Sequence, residues 1–442
     1  MLNTPSKRKL NKKDLLKYFQ NNTPNKSQVG IEFEKIGVLN ISNFAVDYLK
    51  IKYLLEKLSE FENYQRIFNN EQKENLIGLK NDYSSITLEP GSQFELSLAP
   101  QNELKILEKQ IKTHNDLVKE IANDLGITWI GSGLQPLSTF ENINIIPKKR
   151  YEIMSEYLPN VGELPLVMMR ETAGIQVGID YDNEEDAIEK LKLSIKLSPI
   201  ISATFSNSPI RNGKLSGYKS FRSYSWTKTD ELRCGLISSK LFDKNSYFSF
   251  EDYIQTICAT PMIIINQNNI LTIANDITFE QYLENGYQDI YPNFEDFINH
   301  ASLCFTDVRL KNYLEIRNHD SQKSDFIMCI PAFWKGIMYN SDAQNEINNI
   351  LNKFEYEDFE NLRLNTPIYG LDYKIKNYDL SDIVKEIFYI AYNSLKLDNE
   401  EKYLEPILEL IEDKITPADI IIKNFNGIWQ GNLDKFIKYS QI

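Results

Sequence analysis

Five glutamates occupy short apolar stretches that read as strands: Glu32 and Glu34 in VGIEFEKIG, Glu89 and Glu95 in ITLEPGSQFELS, and Glu315 in NYLEIRN. Side chains two apart on a strand share a face, so Glu32 points with Glu34, and Glu315 with Arg317. Gathering that many carboxylates on one buried face is prohibitive unless cations neutralise them. Hard divalent cations take oxygen ligands, and Mg²⁺ brought by a nucleotide is the commonest such ion. The pattern predicts an enzyme. Arg150, Arg170, Arg222, Arg233 and Arg317 are candidates to grip phosphate or carboxylate oxygens, which the guanidinium fork matches. The chain has no G-x-x-x-x-G-K-[ST] and no G-x-G-x-x-G, so a P-loop, kinase or Rossmann nucleotide site is unsupported. A bound nucleotide would instead be held by carboxylate-bound Mg²⁺ and loop arginines.

Other chemistries are poorly supplied. Three histidines in 442 residues leave little for a histidine metal site or a catalytic triad. His114 falls in an amphipathic helix and is expected at its surface or boundary, and His319 is expected as a satisfied loop histidine. Cys234, Cys258, Cys304 and Cys329 form no C-x-x-C pair and read as ordinary buried thiols. A formal net charge of −13 argues against a nucleic-acid partner. Lys7, Arg8, Lys9, Lys12 and Lys13 read as the solvated face of a first helix rather than a targeting signal. No run of 18 apolar residues occurs, so a membrane partner is not expected and a cytoplasmic protein is.

The elements that must position these residues interleave without a regular βαβ rhythm, which predicts α+β with a largely antiparallel sheet. Residues 1–27 read as a basic helix and a polar linker. Residues 28–345 read as the catalytic part and 346–442 as a charged helical part packed on it. Within the catalytic part, 28–39 is the first strand and 47–68 a helix. ITLE and QFELSLA flank the Pro90-Gly91-Ser92 turn as a hairpin, whose two acids join the cluster only if the turn register allows it. A long helix covers 101–126, a shorter one 149–158, a strand 171–181 and another helix 184–207. Arg211 and Arg222 fall in a Gly/Ser-rich loop, and strand pairs recur near 260–275 and 307–317. Trp129, Trp226 and Trp334 are expected as core or pocket-wall aromatics.

In order and spacing, VGIEFEKIG, ITLEPGSQFELSLAP, WIGSGLQP, IPKKRYEIMSEYLP, TAGIQVGIDY, SNSPI, RSYSWTKTD, DVRLKNYLEIRN and PAFWKGIMY resemble the glutamate–cysteine ligases of the plant and proteobacterial type. The likeness runs from about residue 28 to about residue 430 and is specific as an ordered set, not motif by motif. It implies a funnel-shaped, largely antiparallel sheet like that of glutamine synthetase and the guanidino kinases, surrounded by helices. It also implies an ATP-dependent ligase that makes γ-glutamylcysteine through an acyl phosphate, as a monomer or homodimer. By resemblance, Glu32, Glu34, Glu89, Glu95 and Glu315 hold Mg²⁺. Gln176 ligates metal or orients substrate, and Arg222 and Arg317 contact phosphate. The residues fit that chemistry on their own terms, because phosphoryl and acyl transfer need positioning and cations rather than a histidine nucleophile.

Three positions depart from the pattern: Phe33 where the family commonly has His, Gly178 where it has Asn, and Glu171 where plant-type members carry Arg. An inward-facing Glu171 would repel a substrate carboxylate and favour a different amine or amino-acid substrate. An outward-facing one would be harmless, turned into a helix–sheet seam and paired with a lysine. Strand register puts Glu171 on the face opposite Gln176, and the nearly complete motif set, through the resemblance, implies glutamate and cysteine as substrates. A non-catalytic nucleotide-binding homologue is a third possibility, opposed by the retention of all five acids. No counterpart of the plant redox cysteine pairs is present, so no disulfide switch is expected.

Overall fold

Along β1 (Val29–Leu39), Ile31 and Phe33 are buried on one face while Glu32 and Glu34 alternate onto the other. This computed structural model describes residues 10–20, 27–61, 63–69, 72–243, 246–267 and 270–442; Lys7, Arg8, Lys9 and most of the polar linker expected before residue 28 lie outside them. β1 is the middle of a nine-stranded sheet. The others are β2 (Gln65–Phe68), β3 (Leu76–Lys80), β4 (Ser84–Leu88), β5 (Phe94–Gln101), β6 (Ile127–Ile130), β7 (Gly174–Ile179), β8 (Val308–Leu310) and β9 (Leu314–Asp320). The order is β8-β9-β7-β1-β5-β4-β3-β2, with β6 paired to the distal half of β1. Every pairing is antiparallel, as the α+β reading required.

The apolar face is covered by helices. In chain order the first seven are α1 (Lys12–Gln20), α2 (Tyr48–Leu58), α3 (Leu104–Asp124), α4 (Lys149–Tyr157), α5 (Pro165–Glu171), α6 (Glu184–Thr204) and α7 (Phe221–Thr227). α6 packs on β9, and the later helix Cys329–Met338 packs on β7 and β1. One hydrophobic cluster runs from Leu15 through the sheet to these helices and on to Ile411. A second joins Ile36, Val38 and Ile130, at the far end of β1 and β6, to Ile421, Phe425 and Trp429. Among the described residues no helix is long and apolar enough to cross a membrane.

Three expectations are corrected. The helix predicted over 47–68 stops at Leu58, and Gln65–Phe68 pairs with β3 as the sheet's edge strand. The strand predicted from 171 begins at Gly174, because α5 continues through Glu171. Both strand pairs expected near 260–275 and 307–317 form; the first, Ile264–Gln267/Ile270–Ile273, stands apart from the main sheet, which β8 and β9 join. His114 is not a surface residue: it is 6% exposed, stacked against Phe94, and burial drives its pKa well down.

Candidate active site

Register, not sequence proximity, assembles the acids. Glu34 lies opposite Glu95, which lies opposite Thr87. Glu32 lies between Ser97 and Gln176 in the next row, and Glu315 faces Gly178 in the row beyond. All five glutamates, Gln176, Arg222 and Arg317 line one cavity of about 400 Å³. Lys148, Arg150, Arg309 and Lys311 also line it, and Met168, Trp226 and Phe305 give it an apolar wall. Of these, only Arg150 and Trp226 stood out in the sequence. A smaller cavity of about 280 Å³ shares Glu32, Gln176 and Glu315 with the first. Gly30 and Gly178, paired across β1 and β7, form a floor without side chains, and Pro100 and Tyr313 stand over it.

The turn between β4 and β5 does bring Glu89 to the cluster. Ser92 N donates to Glu89 O at 2.9 Å, and Glu89 N donates to Gln93 O at 3.0 Å. The left-handed residue of this turn is Ser92, at φ 69°. Gly91 is needed for another reason: a Cβ there would stand 2.2 Å from the Arg170 carbonyl oxygen. Gln93 ties the turn to the end of α5, its Nε2 donating to Met169 O and Thr172 O.

β9 carries an irregularity between Ile316 and His319. Without it His319 would share the face of Glu315 and Arg317; an extra residue reverses the alternation and sends the imidazole into the core. There Nδ1 pairs with Ile175 O at 2.9 Å and Nε2 accepts from Trp334 Nε1 at 2.8 Å. It is the satisfied histidine expected, on a strand rather than in a loop.

The acids differ in how their charge is met. Burial pushes Glu32 up to about 7, with repulsion from Glu315 adding to it. Burial and then Glu89 likewise push Glu34 up to about 7. Glu95 is driven well above the carboxylate range by burial and by Glu32, Glu89 and Glu34, although Thr87 Oγ1 donates to it at 2.5 Å. Glu315 is the opposite case. Burial would raise its pKa, but Arg309, Arg317 and Lys311 outweigh burial and hold it well below the usual value.

Arg222 sits in the first turn of α7, not in a loop, and is 5% exposed. Its Nη2 donates to Arg317 O at 2.9 Å, while Nε and Nη1 have no hydrogen-bond partner. Nη1 lies 3.9 Å from Asp320 Oδ1, and the side chain lines the cavity as a buried cation that an anion's charge would meet. Arg317 reaches Gln176 Oε1 at 2.7 Å and Glu315 Oε2 at 3.1 Å. Arg150 lines the cavity, but two expected anion ligands do not reach it. Arg170 donates to the carbonyls of Phe140 and Ile143, and Arg233 pairs with Asp230 at 2.6 Å.

Glu171 also faces away. It is fully buried, accepts from Arg211 Nε at 2.7 Å and Nη2 at 2.8 Å, and takes the Phe140 N–H at 2.8 Å. Its partner is Arg211, not the lysine expected. Phe33 is likewise buried in the core, so its departure from the family pattern does not touch the cavity. Glu171→Gln should therefore cost stability, about 3 kcal/mol for a broken buried pair, and leave the Michaelis constant for glutamate unchanged. Calorimetric melting and steady-state kinetics check both; a shifted Michaelis constant in a stable variant would place the side chain at the substrate.

The donor set consists of hard oxygens with surplus negative charge, which fits Mg²⁺. Among the described residues, however, no three acids, histidines or cysteines already converge as a ready ligand group. Unscreened carboxylates repel, and Glu315 is engaged by cations. Because burial pushes Glu32 and Glu34 up to about 7, each is part protonated at that pH; a cation selects the ionised form, so Mg²⁺ uptake should release protons. Calorimetry at pH 7 in two buffers of different ionisation enthalpy should give different apparent heats; equal heats would contradict the crowding.

An antiparallel sheet with an acid-lined cavity, flanked by buried guanidinium donors, defines an enzyme that handles anionic substrates with cations. Comparison with known proteins gives the family. Residues 28–438 match glutamate-cysteine ligase family 2, and the chain belongs to that family. It is 33% identical over 432 residues to the chloroplastic glutamate–cysteine ligase B of Oryza sativa subsp. japonica, covering 96% of this chain and 86% of that one. It is also 33% identical to the chloroplastic glutamate–cysteine ligase of Arabidopsis thaliana, over 96% of this chain and 82% of that one. The Francisella tularensis glutamate–cysteine ligase, solved in complex with AMP, shares the fold. Its TM-score is 0.57 at 14% identity, with 94% of this chain and 87% of that chain covered. A bifunctional glutathione synthetase from Pasteurella multocida also shares it, with TM-score 0.53, 12% identity and coverage of 93% and 52%.

Proposed function

We propose that this enzyme joins the γ-carboxylate of L-glutamate to the amine of L-cysteine, driven by ATP, as in the first step of glutathione synthesis. Family membership supports the reaction. The observation that carries the site assignment is a single cavity that holds surplus carboxylates and is lined by Arg222, Arg317 and an apolar wall. An amide does not form from a carboxylate and an amine near neutral pH without activation. A γ-carboxylate oxygen of glutamate attacks the terminal phosphorus of ATP, the bond to ADP breaks, and γ-glutamyl phosphate results. The cysteine amine then attacks the acyl carbon, and phosphate leaves with the C–O electron pair and the amine's proton.

The protein's part in both steps is to hold anions in place and meet their charge. Arg222 and Arg317 lie side by side where phosphate oxygens would be gripped, and Gln176 fixes the fork of Arg317. Glu34, Glu89 and Glu95 at one end, and Glu32 with Gln176 at the other, would hold Mg²⁺, which when bound screens phosphate charge. The smaller cavity, floored by Gly30 and Gly178 and walled by Pro100 and Tyr313, suits a flat base, so the nucleotide enters from that side. Met168, Trp226 and Phe305 line the main cavity and would keep water from the acyl phosphate. The alternative of another amine or amino-acid substrate rested on Glu171, which Arg211 holds outside the cavity.

Glutamate labelled with oxygen-18 in its γ-carboxylate tests the route: one labelled oxygen should appear in the released phosphate. Label confined to the dipeptide and unreacted glutamate would exclude an acyl phosphate.

A further inference from the structure

Glu315 is 3% exposed, and both its oxygens are taken. Lys311 Nζ donates to Oε1 at 2.5 Å, while Arg309 Nη1 and Arg317 Nη1 donate to Oε2 at 2.9 and 3.1 Å. A structural ion pair needs one cation; here three bond one carboxylate, and the next acid within their electrostatic reach is Glu32 in the neighbouring row. This corner of the cavity is therefore an anion site with a carboxylate already in it.

The three cations are not equally free. Arg309 also donates to the carbonyls of Ser302 and Cys304, and its side chain is 6% exposed. Arg317 is tied to Gln176. Among the described residues Lys311 Nζ bonds Glu315 and the Tyr313 hydroxyl, 3.1 Å away, sits over the Tyr313 ring, and belongs to a side chain 29% exposed. Its backbone is pinned: N donates to Tyr313 O and O accepts from the Tyr181 hydroxyl, both at 2.8 Å. Lys311 is a flexible arm on a fixed post, between the main cavity it lines and the smaller cavity walled by Tyr313.

We propose that Lys311 is an exchangeable phosphate ligand. Without nucleotide it neutralises Glu315; when ATP enters from the Tyr313 side it swings to a phosphate oxygen, and Glu315 is released toward the divalent cation that accompanies the nucleotide. The inference rests on the ATP-dependent reading of this cavity. The exchange keeps every buried charge compensated in both states, whereas a Glu315 stripped of a partner, with no cation to replace it, would be costly. It also reconciles a carboxylate held by three cations with a role in metal binding.

The test is a pair of affinities that should move in opposite directions in Lys311→Met. Mn²⁺ binding without nucleotide, followed by electron paramagnetic resonance, should tighten about threefold or more, because one Glu315 oxygen no longer has a competitor. Binding of a non-hydrolysable ATP analogue with Mg²⁺, followed by calorimetry, should weaken about tenfold, the worth of one charge-assisted hydrogen bond. Lys311→Gln carries the same two readouts if the methionine variant folds poorly, and Lys311→Arg should restore analogue binding. Two affinities that fall together, or neither moving by more than twofold, would make Lys311 a structural partner only and overturn the proposal. A parent enzyme that fails to bind the analogue would instead overturn the ATP reading, and this inference with it.

Discussion

Glu95→Gln is expected to lower turnover by about a thousandfold while leaving the metal-free protein more heat-resistant than the parent at pH 8. The two effects have one cause. Glu95 is buried among Glu32, Glu34 and Glu89, and this raises its pKa well above the ordinary 4.5. A carboxyl that binds its proton more tightly folded than unfolded contributes stability fully below the unfolded value, and that contribution is lost as pH rises through the folded one. Glutamine never ionises, and it can keep the Thr87 hydrogen bond, so the variant escapes the loss. The difference in melting temperature should be near zero at pH 4, below the unfolded value, and grow to about 1–3 °C at pH 8. Saturating Mg²⁺ should shrink it by stabilising the parent alone. A variant that loses turnover but melts lower than the parent at every pH would show Glu95 to be structural. Crowded acids are maintained against stability because the reaction needs them.

How much of this was legible in the chain depends on the range of each interaction. That Glu32 and Glu34 share a face follows from strand period alone, and the sheet class followed from how strands and helices interleave. His114 was legible and misread: it falls on the stripe of Leu107, Ile111 and Val118, at helical spacing, and that stripe is the buried one. Glu171 was placed on the correct side by register counting, though it ends a helix rather than beginning a strand, and its partner, Arg211, lies 40 residues away. The reversal at His319 could not be read, because one extra residue in β9 flips every later side chain and leaves no compositional trace. Lys311 and Arg309 went unnoticed for a related reason. In DVRLKNYLEIRN they look like solvated charges, and only the antiparallel β8–β9 hairpin folds them back onto Glu315.

Arg222→Lys is expected to lower turnover by about a hundredfold or more, with a smaller effect on folding than its burial suggests. In the free protein the guanidinium makes one hydrogen bond, to Arg317 O, and lies 3.9 Å from Asp320 Oδ1. Asp320 takes its hydrogen bonds from Ser208, Ser220 and the Asn207 N–H, so it needs from Arg222 only the positive charge, which a lysine keeps. Two of the guanidinium nitrogens, Nε and Nη1, are buried without a hydrogen-bond partner. A lysine keeps the charge but loses the planar fork that can reach two oxygens of one phosphate, so the transition state should suffer more than substrate binding. Gly174→Ala provides an independent check that leaves the arginine in place. A Cβ at Gly174 would stand 2.5 Å from Arg222 Nη2, so the alanine must push the guanidinium aside. If fork geometry matters, both variants lose kcat far more than they raise the Michaelis constants for ATP and glutamate, the alanine the less severely. If Arg222 only supplies charge, Arg222→Lys stays within about threefold of the parent and Gly174→Ala is harmless to turnover. That result would remove Arg222 from the reacting groups.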